Sequence, residues 1–401
     1  MDIRVRYEAE SLAKAGNDVS VVSLQGKGAP RVEDVNGVHV YRIPILTVFK
    51  KTNSNGASGI GKIAIKMKSA VGYAVEYAYF TSLSLFHAIY LACTRGFNVV
   101  HAHNPPDTLF VVGAFSKIMG KKFVFDHHDL SPELYLSRFE NKRPDFIYKV
   151  LVLMEKFSLK LADVVIATNE SYKEIEVKRG GVVPGKIHVV RNGPKLNRVR
   201  KVPTDDRLKS QGKKILVYVG AINPQDGLDY LLRSLHRLVA DLKRTDFHCV
   251  VIGRGDSLND LKELCRELGL DEYVTFTGFI PDEDLVRYLS TADICLDPNP
   301  LNPLNEVSTW IKVMEYMAMG KPFVSFDLKE TRFTAGDSAI FVKPNDVLEY
   351  AKAIAKLMDD PELRKTMGEY GFERVKSRFT WERSEENLLR AYGTLLDSGA
   401  S

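Results

Sequence analysis

Short β-rich runs alternate with segments of helical apolar spacing twice along this chain of 401 residues. In the first half the runs are DVSVVSL, VHVYRIP, NVVHAH, KKFVFDHHD and VVIATN. In the second they are KILVYVG, FHCVVIG, VTFTGFI, ICLDP, PFVSFD and AIFVKP, separated by helical stretches such as LDYLLRSLHRLVADL and LNDLKELCRELG. Such alternation predicts parallel sheets covered by helices on both faces, with ligands held outside the carboxyl ends of the strands. The stretch 191–211, RNGPKLNRVRKVPTDDRLKSQ, breaks the periodicity and reads as a linker. The expected fold class is therefore α/β, with two doubly wound domains (1–190 and 212–378) facing each other across a cleft. A last amphipathic segment, 379–401, carries Trp381.

Composition changes this picture little, but charge and cysteine usage add to it. The chain is 45% hydrophobic and 27% charged, ordinary for a soluble globular protein, and long enough for two cores. Cys93, Cys249, Cys265 and Cys295 stand apart, with no CxxC pair and no signal-peptide pattern, which predicts buried thiols of a reducing, cytoplasmic compartment. The net charge of +5 is uneven: between Val40 and Val75 lie Arg42, Lys50, Lys51, Lys62, Lys66 and Lys68 and no acid. The tract NSNGASGIG in their midst reads as a loop, and it leads into an apolar, aromatic stretch from Ala70 to Cys93 interrupted by Glu76 and His87. A basic loop beside an apolar helix predicts contact with an anionic membrane surface without spanning it. A solvated loop beside a core helix is the plainer alternative. No nucleic-acid partner is expected.

The densest chemistry lies in 302–327, NPLNEVSTWIKVMEYMAMGKPFVSFD. Helical apolar spacing (Val313, Met314, Met317), the pair Lys312 and Glu315, a stop at Gly320 and the run Phe323 to Phe326 predict a loop, a helix opening towards it and a parallel-type strand. A helix N-terminus in such a place suits an anion, and a carboxylate on it can accept hydrogen bonds from a sugar diol. The segment resembles the donor-binding signature of the retaining nucleotide-sugar glycosyltransferases of family 4, which have the GT-B fold. The resemblance extends from Asp2 to about Leu396 and includes DHHDLSPE and FDLKETR. It implies that Glu315 holds the ribose hydroxyls, that Lys312 faces the donor phosphates, and that Ser308 and Thr309 belong to the donor site. The first Glu of the family's pair falls at Val307, and Glu306 is one residue off, about 100° around a helix. The resemblance also implies a terminal helix that crosses back to the first domain.

Four further constellations sit at expected strand ends. In DHHDLSPE, His128 matches a family histidine near the donor sugar. Zinc is an alternative for such a set, but adjacent side chains on an extended segment face opposite ways, so His127 and His128 would not share an ion. In HAHNPP, His101 and His103 share a face, a better metal spacing. The family carries a similar element without metal on its acceptor side, which makes His103 and Asn104 acceptor-side candidates. After KILVYV, the loop from Gly220 to Gly227 stands where most members have an Arg and a Lys on the diphosphate. Here these positions are Ala221 and Asp226, so Gly220, Asp226, Gly227 and Arg254 are donor-site candidates alongside Lys312. In FTGFIPDEDL, the resemblance puts Phe279 and Ile280 beside the nucleotide base, while Asp282 and Asp284 read as a helix cap rather than a metal motif.

The resemblance implies transfer of a sugar from a nucleotide diphospho-sugar, UDP slightly ahead of GDP, with retention; combined with the basic, apolar segment it leads to the expectation of a glycan or polyprenyl-linked acceptor in surface polysaccharide or glycoprotein synthesis. His128 and Lys312 are the expected catalytic residues, and no cofactor or metal is expected, so activity should survive chelation. A non-catalytic nucleotide-sugar-binding subunit and a nucleotide-sugar 2-epimerase remain open alternatives. The opening segment, Asp2 to Gly16, has helical spacing. In the family a central first strand precedes that helix, which predicts a natural chain beginning about 15–20 residues upstream and an open place in the first sheet.

Overall fold

The computed structural model describes residues 2–46, 60–138, 144–209 and 212–397. Lys50, Lys51 and residues 53–59 of the glycine-rich loop lie outside the described residues. The chain divides into two compact units: residues 1–132, 145–190 and 385–401, and residues 133–144 and 191–384.

The first unit contains α1 (Ile3–Lys14), β1 (Val19–Leu24), β2 (Val32–Val35), β3 (Val38–Ile43), α2 (Ile60–Thr94), β4 (Val99–His103), α3 (Phe110–Ile118) and β5 (Lys122–His127). It continues with the start of α4 (Ser131–Arg138), then α5 (Phe146–Leu161), β6 (Val164–Ala167), α6 (Glu170–Lys178) and β7 (Ile187–Val189). Asp2 caps α1 by accepting the Arg4 backbone N–H at 2.8 Å. Asn36 and Gly37, both at positive φ, make the two-residue turn that joins β2 to β3 antiparallel. Among the described residues the strands form two sheets. One sheet has the order β1-β3-β2 and the other, all parallel, β4-β5-β6-β7, so β1 and β4 each have one neighbour. Five of the six residues of β5 are buried, which is why its sequence reads as a continuous apolar run ending in Asp126 and His127.

The second unit holds α7 (Asp206–Lys209), β8 (Lys214–Val219), α8 (Leu228–Ala240), β9 (Phe247–Ile252), α9 (Leu258–Glu267), β10 (Val274–Gly278), α10 (Asp282–Thr291) and β11 (Ile294–Asp297). After these come α11 (Ile311–Ala318), β12 (Phe323–Phe326), α12 (Lys329–Ala335), β13 (Ala339–Val342), α13 (Val347–Asp359), α14 (Pro361–Arg378) and the first residues of α15 (Trp381–Asp397). Its six parallel strands run in the order β10-β9-β8-β11-β12-β13. Strand residues alternate between two cores: Leu216 and Tyr218 of β8 enter one, Ile215 and Val217 the other. The strand order reverses between β8 and β11, and the carboxyl ends there are where a doubly wound sheet receives its ligand.

The stretch 191–211 is not a free linker. Val199 is buried in the second unit's core, with Leu196, Val202 and Leu208 packed against it, and the Val202 N–H donates to Ser290 Oγ at 3.0 Å. Its apolar residues are too few and too unevenly spaced to show a period, yet they anchor it.

Candidate functional site

Around the reversal between β8 and β11, close backbone approaches shape the loops. Gly227 sits at φ 73°, and a Cβ there would lie 2.1 Å from the Pro298 carbonyl oxygen. Only glycine fits that conformation and that approach. Gly220, with φ 153°, follows β8, and its carbonyl oxygen would be 1.8 Å from a Cβ on Gly253. Asp226 closes a capping box with Asn223, whose backbone N–H donates to Asp226 Oδ2 at 2.9 Å. Burial pushes the Asp226 carboxyl up, and Lys312 opposes the shift. Asp226 therefore braces the loop with its carboxylate turned inward. The brace leaves α8 starting at Leu228 with Gly227 at its N-cap and no side-chain cap hydrogen bond there, and a helix start of this kind suits an anion.

Lys312 is buried on the first turn of α11. Its Nζ donates to Asn299 Oδ1 at 2.6 Å, lies 3.0 Å from Asp297 Oδ1 and stands 4.7 Å from the centre of the Tyr218 ring. One turn on, Glu315 Oε1 is 3.1 Å from Nη1 of Arg198, and Arg198 also grips Asp282 at 2.8 and 2.9 Å. Burial pushes the Glu315 carboxyl up, with Arg198 pulling the other way. The helical register assigned to Glu306 does not apply: residues 301–307 form turns, and α11 begins only at Ile311. Pro303 and the asparagines at 302 and 305 divert this segment; Asn302 Oδ1 accepts the N–H groups of Leu304 and Asn305. Ser308 is buried and donates to the Leu304 carbonyl, while Thr309 lies near Arg191 and Glu330. Phe279 is 72% exposed with the Arg254 guanidinium 5.1 Å from its ring centre, and Ile280 packs on the core beside it. Arg198 was missed by sequence reasoning, because nothing in an aperiodic stretch marks which cation will reach Glu315.

In the first unit, β4 and β5 end in two linked networks. His128 is half-buried, and its backbone N–H donates to Asn104 Oδ1 at 2.7 Å. Asn104 itself is 1% exposed, and its amide also donates to Asp107 and to the Asp129 carbonyl. With its amide committed on both sides, Asn104 positions the His128 loop instead of presenting itself to an acceptor. His103 Nδ1 lies 2.9 Å from Asp126 Oδ2, and the His101 and His103 rings stack at 4.4 Å. Glu8 of α1 lies 3.6 and 3.8 Å from their Nε2 atoms, and His101 Nδ1 is 3.0 Å from the Tyr392 hydroxyl. Single ligand atoms of Glu8, His101, His103 and Asp126 fall within 4.8 Å of one another. The cation among these carboxylates is Arg4, which is 2.6 Å from Asp126 and 3.1 Å from Glu8 and supplies the charge a metal ion would bring. Burial pushes the Glu8 carboxyl up to about 8; burial also opposes ionisation of Asp126, but Arg4 and His103 hold it well below the usual carboxylate range. Arg4 and Glu8 lie on the opening helix that the family resemblance covers, but sequence reasoning gave them no part in a site, and Tyr392 carried no signal beyond helical spacing. His127 faces the other way, between Glu155 (3.5 Å) and Glu176 (3.2 Å), as period-two geometry requires.

Residues 1–198 match the model of Glycosyltransferase Family 4, and residues 203–374 that of Glycosyl transferases group 1. A glycosyltransferase of Methanocaldococcus jannaschii is 23% identical, over 96% of this chain and 91% of its own. The sucrose-phosphate synthase of Thermosynechococcus elongatus has a similar fold, with a TM-score of 0.75 at 22% identity over 99% of this chain and 93% of that one. HepE of Anabaena, solved in complex with UDP-glucose, gives a TM-score of 0.65 at 17% identity over 94% and 100%.

Proposed function

The chain is a glycosyltransferase of the GT-B fold, with family 4 and group 1 matches in its two halves, and from that premise we propose that it transfers a sugar from a nucleotide diphospho-sugar with retention. The observation that carries the reading is the placement of Lys312 and Glu315 on successive turns of α11 beside the uncapped start of α8. The first cation and the α8 N–H groups suit a diphosphate, and the carboxylate suits a ribose diol. UDP is favoured over GDP, in keeping with the fold likeness to a UDP-glucose complex. Phe279 and Ile280 then bound the base, and Arg254 lies over Phe279 as a further cation for the donor.

The chemistry is front-face displacement. The acceptor oxygen bonds to the anomeric carbon on the side from which the diphosphate leaves, and the departing phosphate oxygen takes the acceptor proton. No protein nucleophile is required. Lys312 and the α8 N-terminus stabilise the charge that develops on the leaving group, and His128 offers its imidazole to a donor-sugar hydroxyl. Since protein groups compensate the diphosphate, UDP affinity measured by calorimetry is expected to be the same with and without EDTA. A requirement for manganese would overturn this donor site. His103 belongs to the acceptor side in this reading, with a glycan or polyprenyl-linked acceptor of surface polysaccharide or glycoprotein synthesis.

Glu315→Ala is expected to weaken donor binding by about 2–3 kcal/mol, near a hundredfold, through loss of two hydrogen bonds to the diol. Glu306→Ala, in the turn, is expected to change it little. Calorimetry with UDP tests both; equal losses would remove Glu315 from the role.

With a polyprenyl-linked acceptor, the enzyme works at the cytoplasmic face of a membrane. Among the described residues no helix is long and apolar enough to cross one. The tract from Arg42 to Lys68 is expected to bind anionic vesicles at about 1 kcal/mol per basic residue near the surface. Charge reversal at Lys62, Lys66 and Lys68 should release the protein in a flotation assay. Binding insensitive both to those changes and to high salt would leave the tract a solvated loop.

A further inference from the structure

Half of the exposed large hydrophobic side chains among the described residues lie on α2, on α5 or on α3 and its C-cap, and all three helices belong to the first unit. On α5 they follow one stripe: Phe146, Leu153 and Phe157 are 80%, 53% and 45% exposed, at spacings of seven and four residues. Lys149, Lys156 and Lys160 are the exposed cations along the same stripe. The one acid of this helix, Glu155, is buried and held by Arg179 at 2.6 Å. A water-facing stripe on a helix of a soluble domain is ordinarily polar. This one alternates phenylalanine or leucine with lysine and exposes no acid.

The neighbours extend it. α3 packs against both α2 and α5, with Phe110 stacked on Phe157 at 5.4 Å. The outward side of α2 repeats the character: Phe86, Ile89 and Tyr90 are exposed there, and no charged residue of α2 from 71 onward is. The layer therefore offers apolar side chains able to enter the boundary between headgroups and acyl chains, flanked by ammonium groups on long stems.

We infer that the outer face of α5, with α3 packed between it and α2, is a docking surface for an anionic lipid bilayer, on which the α5 axis lies in the plane of the headgroups. Charge complementarity selects the occupant: three lysines with no exposed acid suit acidic headgroups, whereas a second copy of the same face would oppose lysine to lysine. The inference rests on the membrane reading above but centres the contact on α5, whereas Lys62, Lys66 and Lys68 of the basic tract lie in the first turns of α2.

The test uses the full chain and vesicles of phosphatidylcholine with and without 30% phosphatidylglycerol, a lipid fraction chosen to give a surface potential of about −30 mV or more. Phe146→Ser with Leu153→Ser, and separately Lys149→Glu with Lys156→Glu and Lys160→Glu, are each expected to lower the fraction floated at least tenfold, with circular dichroism and UDP binding unchanged. Leu153→Trp is expected to shift its emission to the blue on adding anionic vesicles and to be quenched by brominated acyl chains. That readout does not depend on any loss of binding. Wild-type binding in the α5 variants, or a residue 153 probe that stays in water on the vesicle, would overturn the assignment. Concentration-dependent dimers in ultracentrifugation that the α5 changes abolish would give the face to a second copy instead. If Lys62, Lys66 and Lys68 alone control flotation, the membrane reading stands and this one falls; if the wild type does not float, both fall.

Discussion

Lys312→Met is expected to destabilise the second unit by about 3–5 kcal/mol, the typical result of removing one partner of a buried ion pair. Asp297 is 0% exposed, and its Oδ1 has the Lys312 ammonium at 3.0 Å. Methionine keeps most of the stem's volume but leaves that carboxylate without a cation and Asn299 without a donor. Both tryptophans, Trp310 and Trp381, lie in the second unit, so fluorescence during urea unfolding reads the loss there directly. Adding Asp297→Asn should restore much of the stability, because the stranded charge is gone. It should not restore transfer, which is expected to fall about 10²–10³-fold in both variants through lost stabilisation of the leaving diphosphate. Recovery of transfer along with stability would make Lys312 a structural cation only.

The second large effect is a pH dependence centred on His127. Burial by itself would lower this imidazole, but Glu155 and Glu176 on either side raise it to about 10. In the unfolded chain the group returns to its ordinary value near 6.5. Below that value both states carry the proton and the stabilisation is fully present. Between 6.5 and about 10 the unfolded chain releases the proton while the folded one keeps it, so stability falls as pH rises, and above that range the contribution is gone. The loss should amount to about 3–5 kcal/mol across the window. Burial also raises Asp107 and Glu176 nearby, whereas Glu155, with His127 and Arg179 upon it, is lowered. The His127 charge lowers all three of these carboxyls, so His127→Gln is expected to raise each of them and to change more than one titration. The imidazole proton is therefore followed directly in the wild type, by NMR of the His127 ring across pH 6 to 10, beside the stability profile from urea unfolding followed by circular dichroism. A ring that releases its proton near the ordinary histidine value, or a stability that does not fall across that range, would show that His127 is neutral in the folded chain.

Where periodicity ran long, the sequence revealed the structure. The alternating cores of β8, β9 and β11, the helix of Lys312 and Glu315 and the strand after Gly320 all follow from spacing, because each side chain's face is set by its own neighbours in the chain. The misses share a different cause. Arg198 reaches Glu315 across more than a hundred residues of sequence, and Tyr392 reaches His101 across nearly three hundred. Neither partner carries a local mark. The 100° offset of Glu306 from the family position does not hold as geometry, because it extended a helical register through a turn that asparagine side chains impose. Asp226 was placed among donor residues on the strength of its position, yet its carboxylate serves the backbone of its own loop. In the first unit, β1, β3, β4, β5 and β6 were legible, but the short β2 and β7 were not, nor was the division into two sheets, since pairing depends on which edges meet.

The assembly of the first unit from the chain's beginning and end bears on how the protein is made. Residues 1–132 and 145–190 leave the ribosome well before Glu385, and the Tyr392 hydroxyl that meets His101 arrives later still. At about 5–20 residues per second, the roughly 200 intervening residues take on the order of 10–40 s to synthesise. During that interval β4 and α1 have no closing helix, and the stripe of α5 is already displayed. The second unit, nearly continuous in sequence, has no such wait. The later-made half of this enzyme should therefore reach its final structure first, and the earlier-made half should be the one that chaperones and proteases meet unfinished.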